Sequence, residues 1–520
     1  MAIRVNDIIV EGIDDFEELL EFEFDIGPNE HATAYLKGII QEGTLCQELN
    51  EGGHKIKVSY TLEDGSSPTI LFHGIVDKYS VSQKNGYPEI EAWLVSGTSR
   101  LDNEKKCCSY QNTDITYEDL FDKHIKKTDS GEMFYTLKNN PSIDKIIIQY
   151  KETDWEFFKR IASHQNTSVY PDWKHGEPKF YVGMQSPGET AEFKDTVYTI
   201  VFDSQYYEQG AQDSGFEKTD FFFFEYESQE NYNLGDVASI EGIQRTIFKK
   251  RAVLKKSMLQ FTYTLGKGKF DGIRRYANEL LSGAVLYGTV LETKDELVKI
   301  QLDIFPEESD ITHFYKWVPA TGNMFYCIPE KDTKVGVYFG SAEEDSGQAI
   351  YNVRDNGKNH SNMEDYNNRY FATQAEEELR ILPDTISFGA LDAPNLSILD
   401  KMGIEIEVNE LTVKAKELIS IEGKSIIGYA PKQISLIKNG KGLLSTINLS
   451  QEFDLASRMI NKKALDISAP AEKINWDGGA GTEDKMPPLN NPKACQKSGL
   501  AAIPSGGSKA SAGALGAMVS

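Results

Sequence analysis

The side chains with chemical potential are few and scattered. Eight histidines (His31, His54, His73, His124, His164, His175, His313 and His360) are spread over 520 residues. None lies in an HExxH pattern or any other spacing that gathers ligands around a metal. His73 in "LFHG" reads as a packed strand residue. His164, near the end of an expected helix, reads as a cation favoured by the helix dipole. The cysteines Cys46, Cys107, Cys108, Cys327 and Cys495 are odd in number and irregularly spaced, which argues against a disulfide framework and fits a reducing compartment. No GxSxG, GxxxxGK[ST] or GxGxxG is present, and "GKGKF" at 266–270 reads as a loop. One carboxylate cluster, Glu343, Glu344 and Asp345 in "SAEEDSG", has the composition of an acid/base pair; a solvated acidic turn is the plainer reading. The sequence therefore nominates no catalytic, cofactor-binding or metal-ligating residue and no cofactor, and the expectation is a protein that is not an enzyme.

The bulk properties agree with a folded, multidomain, non-catalytic chain. A hydrophobic fraction of 40% with 25 Tyr and 26 Phe suits β-rich globular domains. A formal net charge of −25 argues against phosphate-backbone binding, so no nucleic-acid partner is expected. The start "MAIRVNDIIVEGIDDF" has no basic and then apolar signal, and no run of apolar residues is long enough to span a membrane. The expected location is cytoplasmic at assembly, with no stable membrane insertion.

Residues 1–100 read as a meander: "HKIKVSYTL", "TILFHGIVDKYSVS" and "EIEAWLVSG", separated by the turns "EDGSS" and "QKNGYP". Residues 113–128 read as a helix with Ile115, Leu120, Phe121 and Ile125 available to one face. "IIIQYKETDWEFFKRIASHQNTSVY" at 146–170 reads strand, helix, strand, the helix opening on a capping box of Thr153 and Glu156. Further strands continue to about residue 265. Among them Phe221–Phe224 form either a strand buried on both faces or an interface strand. A short connecting helix is expected at 271–283, and five short strands between 284 and 357 match an OB-type barrel. From 404 onward Ile404, Leu411, Ile419, Ile426 and Ile434 open successive short segments, at intervals of seven or eight residues. A lone chain would not bury so narrow an apolar stripe, whereas three copies wound around one axis would; the alternative is an ordinary meander. "TINLSQEFDLASRMINKKALD" at 446–466 reads as helix, followed by a Gly/Ala/Ser/Pro-rich tail.

Three stretches in collinear order carry a family resemblance. "LFHGIVDKYSV" at 71–81 resembles a hub first-barrel strand. Gln149, Tyr150, Glu152, Thr153, Asp154 and Phe158 fall on a Gln-Tyr-x-Glu-(Ser/Thr)-Asp turn before a Phe-rich helix. "GTVLETKDELVKIQLDIFPE" with "WVPATGNMFYCIPEKDTKVGVYFGSAEEDSGQAIYNVRDNG" resembles an OB domain. Together, over residues 1–440, they resemble the hub-and-spike proteins of contractile injection machines: VgrG of type VI secretion, its counterparts in phage-tail-like particles, and the myophage baseplate hub. The resemblance implies a mainly β fold of tandem hub β-barrels with small α insertions, an OB-fold barrel and a short trimeric β-helix or prism spike. The implied domains are 1–110 (first hub barrel), 111–270 (helical insert and second barrel with the βαβ unit), 271–283 (connecting helix), 284–357 (OB barrel), 358–383 (linker), 384–442 (prism) and 443–520 (C-terminal extension, helix then flexible tail). It also implies a homotrimer joining a sixfold inner tube to a threefold tip. Its partners would be the tube protein, baseplate wedge proteins, and a PAAR-like tip protein or effector cargo at the C-terminal end. The particle would be fired out of the cell or into a target. The chain departs from the type VI pattern in lacking valine–glycine repeats and a tryptophan–glycine-rich loop, and only about 30 residues separate barrel and prism, too few for an inserted lysozyme domain. The alternative function is an enzymatic or wall-degrading effector activity in the C-terminal extension.

Overall fold

The computed structural model describes residues 2–456 except 43–46, 51, 62–66, 85, 186–189, 194–196, 205–216, 241, 268–274, 305–309, 323–324, 354–364, 374, 376, 391–392, 441–442 and 450–452. The turn expected at 63–67 lies largely outside the described residues, as does everything expected beyond 456. The chain divides into a first compact unit ending at Ala393 and a second beginning at Pro394.

Alternating apolar residues build the first unit's main sheet. In Tyr87–Val95, for example, Ile90, Ala92 and Leu94 are buried while Glu89, Glu91 and Trp93 face outward. The two expected hub barrels do not stand apart. Their strands form one continuous antiparallel sheet, ordered Ile8–Glu11, Lys55–Tyr60, Thr69–Lys84, Tyr87–Val95, Thr33–Ile40, Phe16–Ile26, Ile243–Lys255, Met258–Gly266, Phe222–Ser228 and Thr199–Phe202, with Val237–Ile240 also on Ile243–Lys255. The seam is a ladder in which Glu23, Phe24, Asp25 and Ile26 face Val253, Ala252, Arg251 and Lys250. One core runs through both halves, from Phe72 and Leu94 through Phe22 and Phe24 to Phe261, Tyr263 and Leu265. Phe221 ends a 3-10 turn, Lys218–Phe221, and in the strand that follows, Phe222–Ser228, Phe223 and Phe224 are buried and Phe222 is half-buried, so the strand is covered on both faces.

A second core belongs to the helical insert. Helix α1 (Tyr117–Ile125) and helix α2 (Asp154–His164) each open on a capping box, Thr116 with Asp119 and Thr153 with Glu156. They bury Leu120, Phe121, Trp155, Phe157, Phe158 and Ile161 against Phe180 and Val182. The flanking strands of α2 do not form a βαβ unit. Ile147–Glu152 pairs antiparallel with Lys106–Tyr110, whereas Val169–Pro171 pairs with Lys179–Val182, itself parallel to Glu132–Tyr135.

Five strands close the third element into a barrel: Val285–Lys294, Leu297–Leu302, Tyr315–Trp317, Gly347–Val353 and Lys334–Phe339. Of the connecting helix expected at 271–283, the described part holds only a 3-10 turn, Glu279–Leu281. Tertiary hydrogen bonds decide this. The Asn278 side chain caps Leu280 N (3.1 Å) while donating to Tyr150 O (2.9 Å), and Tyr276 N donates to Ser163 Oγ (2.9 Å). The expected linker 358–383 also carries strands, Arg369–Ala372 and Glu377–Ile381, in an antiparallel run with Thr385–Ala390.

In the second unit Leu396, Ser397, Ile398 and Leu399 pair antiparallel with Ile406, Glu405, Ile404 and Gly403, and no strand follows until Ile434 among the described residues. The helix expected from 446 is contradicted: Ile434–Gly440, Leu443–Leu449 and Phe453–Ala456 form an antiparallel sheet. Apolar residues at 447, 449, 453 and 455 recur with period two, which suits a strand better than a helix.

A close approach fixes the 3-10 turn Gly97–Asp102 against the insert, because a Cβ at Gly97 would stand 2.3 Å from the Glu177 carbonyl. Gly97→Ala is therefore expected to cost about 1–3 kcal/mol, read as a lower urea midpoint at unchanged slope.

Candidate functional site

The hub signature lies on a wall shared by two cores. Period-two alternation sends Ile147 into the helical core and Ile146 and Ile148 into the barrel core. Lys151 then adopts a left-handed conformation (φ 54°) and is skipped in the pairing, since Lys106 faces Glu152 while Cys107 faces Tyr150. This bulge turns Glu152 inward towards α2.

There Arg160 is held from both sides. Its Nε and Nη2 each donate to the Glu152 carboxylate at 2.8 Å, Nη1 donates to Glu344 Oε1 at 2.5 Å, and Nη2 also donates to Ile148 O at 2.7 Å. Arg160 and Glu344 are each 2% exposed. Burial disfavours charge on the guanidinium, but Glu344 and Glu152 outweigh it and hold Arg160 ionised beyond its ordinary range. Burial pushes the Glu152 carboxyl up, against the pull of Arg160. Glu344 is thus no solvated turn residue: it anchors the barrel to the helical insert. Its neighbour Glu343 accepts from Arg275 at 3.0 Å and Lys145 at 3.3 Å.

The rest of the signature is also committed. Gln149 Nε2 donates to Glu152 O (3.2 Å) and Asp154 Oδ1 (3.0 Å). Asp154, at the first turn of α2, pairs with His124 Nε2 (2.9 Å) and Lys106 Nζ (2.6 Å), and the other His124 nitrogen meets Tyr110 OH at 2.6 Å. Burial raises the Asp154 pKa, but His124, Lys106 and Gln149 outweigh it and hold the carboxyl well below its usual range. The Thr153 hydroxyl donates to Asp102, whose other oxygen pairs with His31 Nε2 (2.8 Å); His31 Nδ1 meets Thr98 Oγ1 (2.8 Å) and the ring stacks on Trp155. Thr98, His31 and Asp102 have the composition of an acyl-transfer triad. The Thr98 hydroxyl is fully buried and bonded to Ser96, so it cannot meet a substrate. Gln111 completes the junction by donating to Ile300 O (2.7 Å) and accepting from Leu302 N (3.1 Å) on the barrel.

His73 lies half-buried on its strand, and burial lowers its pKa. His164 departs from the expected helix-dipole cation: burial, then the charges of Arg160, Arg275 and Lys145, push it down from 6.5 to about 3. Among the described residues, no three His, Cys, Asp or Glu gather as for a metal ion, and no helix is long and apolar enough to cross a membrane.

No family model matches the sequence, and no curated protein does. Solved structures do. Its structural neighbours are type VI secretion and phage tail proteins. An Escherichia coli type VI secretion component, described as similar to the T4 bacteriophage tail proteins gp27 and gp5, shares 13% identity over 67% of this chain and 99% of its own, with a TM-score of 0.48. A chain of the Francisella PdpA–VgrG complex shares 11% identity over 78% of this chain and 88% of its own, TM-score 0.48. A Neisseria meningitidis tail protein shares 14% over 51% and 98%, TM-score 0.37.

Sequence reading located the signature but missed Arg160, Asp102 and His31. An arginine flanked by Phe157, Phe158 and Ile161 on an otherwise apolar helix face was the available signal. Because removing one member of a buried ion pair strands the other, Glu344→Ala is expected to cost about 3–5 kcal/mol in thermal or denaturant unfolding. Replacing Arg160, Glu152 and Glu344 together by Met and Leu should cost less than that single change. For His164 the unfolded chain takes up a proton near 6.5 while the folded one refuses it until about 3. Its contribution is therefore constant above the upper value and increasingly unfavourable as pH falls between the two. His164→Gln should flatten the stability–pH curve across that window.

Proposed function

We propose that this chain is a structural hub and spike of a contractile injection machine, assembling as a homotrimer that joins an inner tube to a piercing tip. The observation that carries this reading is the uncovered stripe of the second unit. Ile404, Leu411, Ile419 and Ile426 are 69%, 61%, 50% and 67% exposed in the single chain. Monomeric soluble proteins rarely leave so regular a series of large aliphatic side chains in water. Residues 407–433 carry no strand pairing of their own, so their backbone groups are available to neighbouring copies. Wound three-fold, each copy's stripe would meet two others and the backbone would be bonded across chains.

The hub residues support the same role from the other end. Gln149, Glu152, Thr153 and Asp154 are spent on holding α2 and the barrel in place, which suits a part that transmits thrust. In this reading tube and wedge proteins dock on the hub, a tip protein or cargo rides on the C-terminal extension, and the particle carries the chain out of the cell.

Light scattering on the purified chain at micromolar concentration is expected to give three times the monomer mass. A variant with Ile404, Leu411, Ile419 and Ile426 all changed to Ser should be monomeric with the first unit's unfolding unchanged. A monomeric parent that also fails to bind tube protein would overturn the reading, and sustained peptidoglycan hydrolysis by the purified chain would overturn its non-enzymatic part.

A further inference from the structure

The seam between the two halves of the main sheet contains a buried lysine. Lys250 is 3% exposed and lies opposite Ile26 in the ladder that joins the halves. The rings of Phe261, Phe24 and Tyr263 enclose its amine at 5.0, 5.8 and 5.9 Å. The amine reaches two oxygens, the main-chain carbonyl of Tyr232 at 2.6 Å and the side-chain carbonyl of Asn231. Asn231 belongs to the segment between Phe222–Ser228 and Val237–Ile240, and its Nδ2 lies 3.4 Å from Tyr60 OH. Asp236, also buried, accepts from Asn233 N at 2.8 Å, and its charge acts on Lys250.

Three conditions for amide exchange thus meet at one point: an amine in contact with a carboxamide, an apolar aromatic shell, and a buried carboxylate close enough to be felt. We propose that Lys250 and Asn231 join in an intramolecular isopeptide bond. The Nζ lone pair attacks Asn231 Cγ, a C–N bond forms there, and the Cγ–Nδ2 bond breaks. The proton given up by Nζ leaves with Nδ2 as ammonia. The exchange is redox-neutral and needs no co-reactant, since the proton lost by Nζ is the one that departs with the ammonia. The attacking species must be the neutral amine. Burial, together with the charge of Lys174, lowers Lys250 from 10.5 to about 7 against the opposing pull of Asp236, so that form is abundant at neutral pH.

The bond would tie the 229–236 segment to the seam strand across 19 positions. It would restrict the unfolded chain as a disulfide does, with no oxidising compartment required. The inference does not depend on the spike role.

Intact-mass measurement on the denatured full-length chain decides it. The expected mass is below the sequence mass by one ammonia, with tryptic cleavage after Lys250 blocked and the Lys250 and Asn231 peptides recovered as one branched species. Lys250→Met should return the mass to its sequence value. A parent chain of full sequence mass, whose Lys250 amine labels freely in denaturant, would overturn the proposal. So would loss of ammonia without the branched peptide, since that marks a succinimide at an asparagine and no cross-link. Because the readout is on the parent chain, a variant that fails to fold leaves the test intact.

Discussion

A guanidinium sealed from water must find its counter-charges within the protein, and at Arg160 they come from opposite directions. Glu152 is supplied by the wall strand and Glu344 by a turn of the barrel, while Ile148 O accepts a further hydrogen bond. A desolvated charge is tolerated only with such complete partnering. The helical insert and the barrel therefore cannot drift apart without stranding the buried Glu344 and taking from Arg160 one of its two carboxylate partners. The arrangement is selective as well as adhesive, since only one relative placement of α2, the wall strand and the barrel satisfies every donor. The polar residues around it extend the same logic: Asp154 gathers α1, the Lys106 strand and the start of α2, and Asp102 gathers His31 and the α2 cap.

The wall strand explains why so few residues coordinate so much. With Ile147 facing one core and Ile146 and Ile148 the other, three residues of backbone serve two cores. The bulge at Lys151 then ends the alternation at the point where a charge is needed in place of a methyl group. Packing makes the contact and electrostatics sets its register.

Much of this was legible in the sequence. The barrel strands, the helix caps and the signature follow from period, capping chemistry and spacing, which act over a few residues. What was hidden depends on distant partners. Nothing local to "SAEEDSG" says that Glu344 meets an arginine 184 positions away, and nothing in "NELLSG" says that Asn278 will bond Tyr150 and hold the chain in a single turn. His164 follows the same pattern: its place at a helix end favours a cation, and burial in the fold, helped by the charges of Arg160, Arg275 and Lys145, reverses that preference. Strand, helix and strand at 146–170 were read correctly, but not as the βαβ unit expected, because periodicity identifies strands without naming the sheet each one joins. The extension beyond 442 was misread where period two competed with helix-forming composition. The candidate site was legible as a motif and illegible as a clamp.

The seam has a consequence for how the molecule is made. Phe16–Ile26 cannot complete its ladder until Ile243–Lys255 exists, and Ile26 and Lys250 are 224 positions apart (250 − 26). At roughly 5–20 residues per second of synthesis, the emerging N-terminal half presents an unsatisfied β-edge for on the order of ten to forty-five seconds. Translation speed and chaperone shielding over that interval should govern yield more strongly than any single core substitution, and separately expressed halves should each be prone to clump.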